Sequence, residues 1–282
     1  MNRTYRERVA RFYDVTQAGY DFAVSRDYLR YGLWDDATRT AGESLVNTDR
    51  FVGDLLRLGR EDVILDAGCG VGGSAVYFAR TYGARVVGVN ICTSQLEKAR
   101  RKAERAGLAD LVRFEARDFC ATGLPDAAFT KLYAIESVYH AESSEGFVRE
   151  AFRLLAPGGR LAVVDRFLLR DEMSQAEIRL YDRFRAGQVV AGLPTLTGFR
   201  RTLQSAGFSD VQFTDQLHAI QKGIARTQRM CVLSYPLSLA LTAMRLLPRE
   251  LHGQTAGLMA IRRLFAQGVV TYGGFVAEKP SG

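Results

Sequence analysis

Val63-Ile64-Leu65-Asp66-Ala67-Gly68-Cys69-Gly70-Val71-Gly72-Gly73-Ser74 is the stretch whose reading decides the fold. The apolar residues among positions 63 to 67 predict a strand covered on both faces. Gly68, Gly70, Gly72 and Gly73 let the backbone turn sharply and approach a ligand closely. From Ser74 to Tyr82 the pattern becomes helical, with Val76, Tyr77, Phe78 and Ala79 available for burial. Gly68, Gly70 and Gly73 satisfy the dinucleotide pattern G-x-G-x-x-G, which is weak evidence alone. Asp66 argues against a pyrophosphate, which wants a helix N-terminus and no competing anion. A carboxylate at that place suits a cationic ligand.

Strands and helices alternate outward from this turn. Strands are predicted at residues 85–90, 112–116, 130–135 and 160–167. Helices are predicted at 94–106, with Thr93 or Ser94 as cap and Gly107 as stop, and at 147–155, ending at Pro157-Gly158-Gly159. Such alternation means a parallel α/β sheet. Residues 1–60 read as a helical cap, 61–170 as the ligand-binding core, and 171–282 as a lobe. The lobe holds helices at 180–190 and 199–206, a strand at 211–213, a long helical stretch over 218–265 and a closing strand at 269–277. The window 230–247 is apolar or small throughout most of its length. Ser234, Pro236, Ser238 and Thr242 interrupt it, so it reads as a buried helix pair lining an apolar pocket ahead of a membrane span. Leu233, Leu237, Leu241 and Met244 form the expected pocket face. Peripheral membrane contact stays compatible with this basic chain.

The 282 residues carry 38 Lys and Arg against 31 Asp and Glu, a formal charge of +7. The basic residues are dispersed, which excludes a nucleic-acid arm. Four cysteines without C-x-x-C spacing point to a reduced, cytoplasmic protein. Residues 1–11 lack the apolar run of a signal peptide. Three histidines, His140, His218 and His252, show no metal-ligand spacing.

In doubly wound sheets, ligands sit at the carboxyl ends of the strands, where this chain places Asp66, Asn90, Asp118 and Glu136. The first motif, Asp66-Ala67-Gly68-Cys69-Gly70-Val71-Gly72, resembles the D-x-G-x-G-x-G of class I S-adenosylmethionine (SAM)-dependent methyltransferases. The stretch Tyr133-Ala134-Ile135-Glu136-Ser137-Val138-Tyr139-His140-Ala141 resembles the fourth-strand motif of sterol C-methyltransferases. The ending Phe275-Val276-Ala277-Glu278-Lys279-Pro280 agrees with that group. Phe12-Tyr13-Asp14 and Tyr31-Gly32-Leu33-Trp34 resemble the N-terminal cap of the cyclopropane-fatty-acid and tocopherol methyltransferases, and the tocopherol and rebeccamycin-type small-molecule enzymes are similar in architecture.

That resemblance implies a seven-stranded Rossmann-like sheet with its last strand antiparallel, a helical N-terminal cap, and a helical insertion before the last strand that recognises the acceptor. It also implies SAM as cofactor. Asp66 is expected to face the SAM ammonium at the Gly68–Gly70 turn, and Asn90 the ribose. Asp118 and Phe119 are expected at the adenine, with Tyr13 and Tyr31 against the methionine part; Gln95 and Ile135 complete the set. Asn90 departs from the acid usual in the superfamily, leaving a neutral hydrogen bond to the ribose. His140, Glu136 and Tyr139 are the expected catalytic residues: His140 takes a proton, and Glu136 with the tyrosine rings stabilises a cation. The acceptor is expected to be a lipophilic small molecule, with methylation at carbon ahead of oxygen or nitrogen. A SAM-binding regulatory protein without chemistry is the reading from another class, and a dinucleotide oxidoreductase is disfavoured by Asp66 and Asn90.

Overall fold

The computed structural model describes residues 3–23, 28 and 30–281. Residues 1–2, 24–27, 29 and 282 lie outside the described residues. Seven strands form one sheet in the order β3-β2-β1-β4-β5-β7-β6. β1 (Val63–Ala67) is central, parallel to β2 (Arg85–Asn90) on one side and to β4 (Phe129–Ile135) on the other. β3 (Val112–Ala116) extends one edge and β5 (Leu155–Leu168) continues the other, both parallel. β7 (Val270–Glu278) is the last strand, antiparallel to β5 and to β6 (Ser209–Asp215). The chain reverses direction across the sheet between β1 and β4, so the carboxyl ends of these two strands open the crevice where a ligand binds.

Helices α3 (Gly73–Tyr82), α4 (Thr93–Arg105) and α5 (Ser144–Leu154) cross over between the parallel strands. Several boundaries differ from the sequence expectation for local reasons. Ser94 does not cap α4. Its hydroxyl donates to Asp14 Oδ1 at 2.5 Å and ties the first helix, α1 (Arg3–Ala23), across the top of α4. α5 begins at Ser144, because the Ser143 hydroxyl accepts the Gly146 N–H at 3.0 Å. It stops at Leu154. Leu155 is already extended and pairs with Phe129, so Pro157-Gly158-Gly159 lies within β5 and does not end the helix. α2 (Ala41–Leu56) opens on a reciprocal capping box between Thr40 and Glu43.

α6 (Gln175–Gln188) and α7 (Leu196–Ser205) precede β6, while α8 (Leu217–Ala243) and α9 (Arg249–Ala266) are inserted between β6 and β7. α9 packs on α6 where Gly187 and Gly257 let the backbones meet: a Cβ on Gly187 would lie 2.2 Å from the Gly253 carbonyl oxygen. α8 behaves otherwise than expected. It buries Ile220, Ile224, Cys231 and Ser238, a single narrow stripe. Leu233, Leu237 and Met244, expected to line an acceptor pocket, face outward at 82%, 64% and 66% exposure, and Leu241 is only half-buried. They lie on the side of α8 turned away from that stripe. Among the described residues no helix is long and apolar enough to cross a membrane.

Candidate active site

β1 carries Asp66 into the crevice, and the glycine turn begins at once. Gly68 has φ +85°, and a Cβ there would sit 2.5 Å from Ser137 Cβ, so only glycine fits between the two strand ends. The Gly68 and Cys69 N–H groups both donate to Val89 O of β2, at 2.9 and 3.0 Å. Ser137 Oγ donates to Ala67 O at 2.6 Å and locks the β4 end against the same turn. A cavity of about 780 Å³, mouth included, lies over this turn.

The cavity is walled by Asp66, Gly68 and Gly70 from the turn, and by Asn90 and Gln95 from the β2–α4 connection. Phe119, Ile135, Glu136 and His140 close its far side, and Val9 and Tyr13 of α1 cover it. Asp66 is 3% exposed and makes no ion pair among the described residues; the buried Tyr133 hydroxyl beside it lowers the cost of its charge without removing it. Burial pushes the Asp66 carboxyl up to about 7. A buried, unpaired carboxylate oxygen facing a glycine cradle is a receptor for a cation, and leaving it unmet costs free energy. The ammonium of SAM fits it.

Asn90 Nδ2 donates to Gln95 Oε1 at 2.8 Å, and Gln95 Nε2 donates to Gln17 Oε1 at 2.9 Å. The Asn90 donor is thus engaged within the protein, while its oxygen accepts the Cys92 N–H at 3.4 Å and has a second lone pair that could accept from a ribose hydroxyl. Asn90→Asp exchanges a neutral acceptor for a charged one, while the two glutamine amides can rotate to preserve the chain. We expect this variant to bind SAM at least as tightly by calorimetry; a tenfold loss would show that the amide donor itself holds the ribose.

Asp118, Tyr31 and Tyr139 lie outside the lining of this first cavity. Asp118 does not line the cavity: its Oδ1 accepts the Cys120 N–H at 2.9 Å and its Oδ2 is 3.8 Å from the Arg6 guanidinium. Phe119 beside it does, packed edge-on against Phe147. Tyr31 and Tyr139 line a second cavity of about 710 Å³, which adjoins the first at Glu136 and Arg30. Trp34 and Leu45 form another wall of it. Gly223, Arg226 and Thr227 from the first half of α8, and Leu258 from α9, complete it.

Glu136 stands where the two cavities meet, at a left-handed φ of +49° that a non-glycine residue rarely adopts. Its Oε1 accepts from the Tyr31 N–H at 2.8 Å and the Tyr272 hydroxyl at 3.1 Å, and its Oε2 is ion-paired with Arg166. The Arg166 guanidinium carbon also lies 5.2 Å and 4.8 Å from the ring centroids of Tyr31 and Tyr139. His140 is buried. Its Nδ1 lies 3.1 Å from Val189 O, so that nitrogen carries the proton, and Nε2 accepts from the Tyr13 hydroxyl at 2.8 Å. Val189, at φ +51° on the C-terminal cap of α6, aims that carbonyl. Burial pushes the His140 imidazole down to about 3, so it is neutral at physiological pH.

Sequence reasoning missed the two buried ion pairs. Arg30 donates to Asp49 Oδ1 at 2.6 Å and to Leu45 O at 2.9 Å, and bonds Ser74 at the start of α3. Asp49 was detectable: it falls in the buried stripe Leu45, Asp49, Val52, Leu56 of α2. Arg166, next to Asp165 in the buried run Leu161–Leu168 that is otherwise apolar, carries the same signal. Among the described residues no three His, Cys, Asp or Glu side chains cluster as metal ligands.

Residues 65–163 match a family model described as a methyltransferase domain. The chain is 36% identical over 196 residues to the 27-O-demethylrifamycin SV methyltransferase of Amycolatopsis mediterranei, covering 67% of this chain and 71% of that one. It is 32% identical over 211 residues to a sterol 24-C-methyltransferase of Eremothecium gossypii, covering 71% of this chain and 56% of that protein. A solved structure of geranyl diphosphate C-methyltransferase from Streptomyces coelicolor, in complex with Mg2+, geranyl diphosphate and S-adenosyl-L-homocysteine, shares the fold. Its TM-score is 0.72 at 18% identity over 98% of this chain and 97% of that one. Sheet order, glycine turn and these similarities agree: the chain belongs to the methyltransferase family and is a SAM-dependent enzyme acting on small molecules.

Proposed function

We propose that the enzyme methylates a hydroxyl group of a lipophilic small molecule held in the cavity between Tyr31, Trp34 and α8. The observation that carries this reading is the neutral His140, whose tautomer is set by Val189 O and whose Nε2 faces the Tyr13 hydroxyl. Bound SAM supplies an electrophilic methyl group. Asp66 and the glycine turn hold the cofactor's cationic end, Asn90 its ribose, and Phe119 its adenine. Tyr31, Trp34, Leu45 and Leu258 provide apolar surface for the acceptor. The proton leaving the acceptor hydroxyl passes to the Tyr13–His140 pair. A base held near pKa 3 suffices, because an oxygen that is gaining a methyl cation becomes a strong acid. Most of the acceleration comes from holding the two reactants in line, an effect worth up to about 7–11 kcal/mol.

Methylation at carbon is the second reading, favoured by the sterol 24-C-methyltransferase relative. It needs a counter-charge for the cation formed. Glu136 is already neutralised by Arg166, and the same guanidinium occupies a face of the Tyr31 and Tyr139 rings. SAM carrying a 13C methyl, incubated with hydroxylated and alkene-bearing terpenoid and polyketide acceptors, tests the choice. Product methyl signals in the oxygen-bound region support the first reading; signals in the carbon-bound region alone overturn it.

A further inference from the structure

The second half of α8 presents a surface that nothing in the described chain covers. Val232, Leu233, Leu237 and Leu239 on the helix, and Met244 and Leu246 in the turn after it, are all exposed. Single exposed leucines are ordinary, but six large apolar side chains within 15 residues mark an interaction surface. At helical spacing, Leu233 and Leu237 continue the line of Lys222, Arg226 and Arg229, opposite the buried stripe. That side of the helix is therefore basic in its first half, where Arg226 also borders the second cavity and the Lys222 ammonium lies 5.5 Å from the Trp34 ring centroid, and apolar in its second.

Charge narrows the partner. Residues 216–277 hold seven Lys and Arg but one acid, Glu250, and so carry +6 of the chain's formal +7. Glu250 is already engaged by Arg11 at 2.8 Å. Arg229, Arg245 and Arg249 are exposed around the leucines. A second copy of the chain meets this surface badly: a two-fold contact sets the surface against itself and brings guanidinium groups into an apolar interface with no acid to pair them. An anionic phospholipid bilayer meets both halves at once. Leucine and methionine side chains enter the acyl boundary while the arginines face lipid phosphates.

We propose that the outer side of α8, with the turn at residues 244–248, docks the enzyme on an anionic phospholipid surface. The first half of the same helix lines the acceptor cavity through Gly223, Arg226 and Thr227, so docking sets that cavity beside the bilayer. Passage of acceptor from bilayer to cavity rests on the lipophilic-acceptor reading; docking itself does not, and it is tested without acceptor.

The experiment is co-sedimentation of the full-length protein with phosphatidylglycerol/phosphatidylcholine vesicles and with pure phosphatidylcholine vesicles. The protein is expected to pellet with the anionic vesicles, to stay in solution with the neutral ones, and to be released as salt is raised. Leu233→Ser with Leu237→Ser is expected to lower partitioning roughly tenfold or more. Arg229→Gln with Arg245→Gln is expected to remove the preference for anionic lipid. Both pairs should leave the thermal midpoint and SAM affinity unchanged, since none of the four side chains lines either cavity. Failure of the wild type to bind anionic vesicles overturns the proposal, as does equal binding by the variants. A wild-type dimer in sedimentation velocity that Leu237→Ser dissociates also overturns it, by assigning the face to a second copy.

Discussion

Asp66→Asn is expected to stabilise the ligand-free enzyme while weakening SAM binding tenfold or more. The two effects share one cause. In the folded protein the Asp66 carboxyl titrates near 7, raised by burial from a value near 3.8. Folding therefore favours its protonated form, and at pH 8 the chain must fold around a buried anion that no cation pairs directly. The penalty is fully present above pH 7 and fades as pH falls towards 4. Asparagine removes it, so the thermal midpoint rises at pH 8 and the gain shrinks in acid. SAM binding changes in the opposite sense. On the proposed reading the ammonium is the partner of Asp66 Oδ2, and losing a charged contact of this kind costs about 1.5–3 kcal/mol. Thermal shifts with and without SAM at pH 5 and pH 8 read both effects. A variant less stable than wild type at pH 8, with unchanged affinity, would place the ammonium elsewhere.

His140→Ala is expected to lower kcat by about 10²–10⁴ with a hydroxyl acceptor, and higher pH should restore part of the rate by ionising that hydroxyl. The wild type should show no fall in kcat between pH 7 and 5 from His140, whose imidazole protonates only near 3. The acid limb belongs instead to kcat/KM for SAM, which falls below pH 7 as Asp66 takes up a proton in the free enzyme. Tyr13→Phe removes the hydroxyl that donates to His140 Nε2 and should reproduce part of the loss. Glu136→Gln is a less informative comparison, because it leaves Arg166 buried without its counter-charge. Breaking such a pair costs about 3–5 kcal/mol. Its thermal midpoint should drop, and its rate should be read only where it remains folded. Full activity of His140→Ala at every pH would remove the imidazole from the chemistry and leave positioning alone.

The sheet was legible because its evidence is local and repeated. Strand ends at Asp66, Asn90 and Glu136 and glycines at fixed offsets follow from periodicity and backbone sterics. Helix starts were less legible where side-chain caps outrun the apolar pattern. Ser174 and Glu177 form a capping box that begins α6 at Gln175, ahead of the apolar run expected from Leu180. Residue types at the site were legible, but their electrostatic state was not. That Glu136 is neutralised depends on Arg166 being 30 residues away in sequence and adjacent across the sheet. The outward turn of α8 was also hidden. Leu233 and Leu237 have the spacing of a core face, and only the packing of Ile220, Ile224 and Cys231 shows which side of the helix is buried.

The central claim is that Asp66 receives the cofactor's cation, and proton release on SAM binding tests it most directly. At pH 6.5 an α-ammonium with a pKa near 8 is almost fully charged already. Asp66, titrating near 7, is then largely protonated in the free enzyme and must ionise to meet it. Calorimetry at pH 6.5 in two buffers of different ionisation enthalpy should therefore show net proton release on SAM binding, shrinking as pH is raised to about 8.5. The release should vanish in Asp66→Asn. A binding heat that does not depend on the buffer, with wild-type affinity intact, would contradict the account.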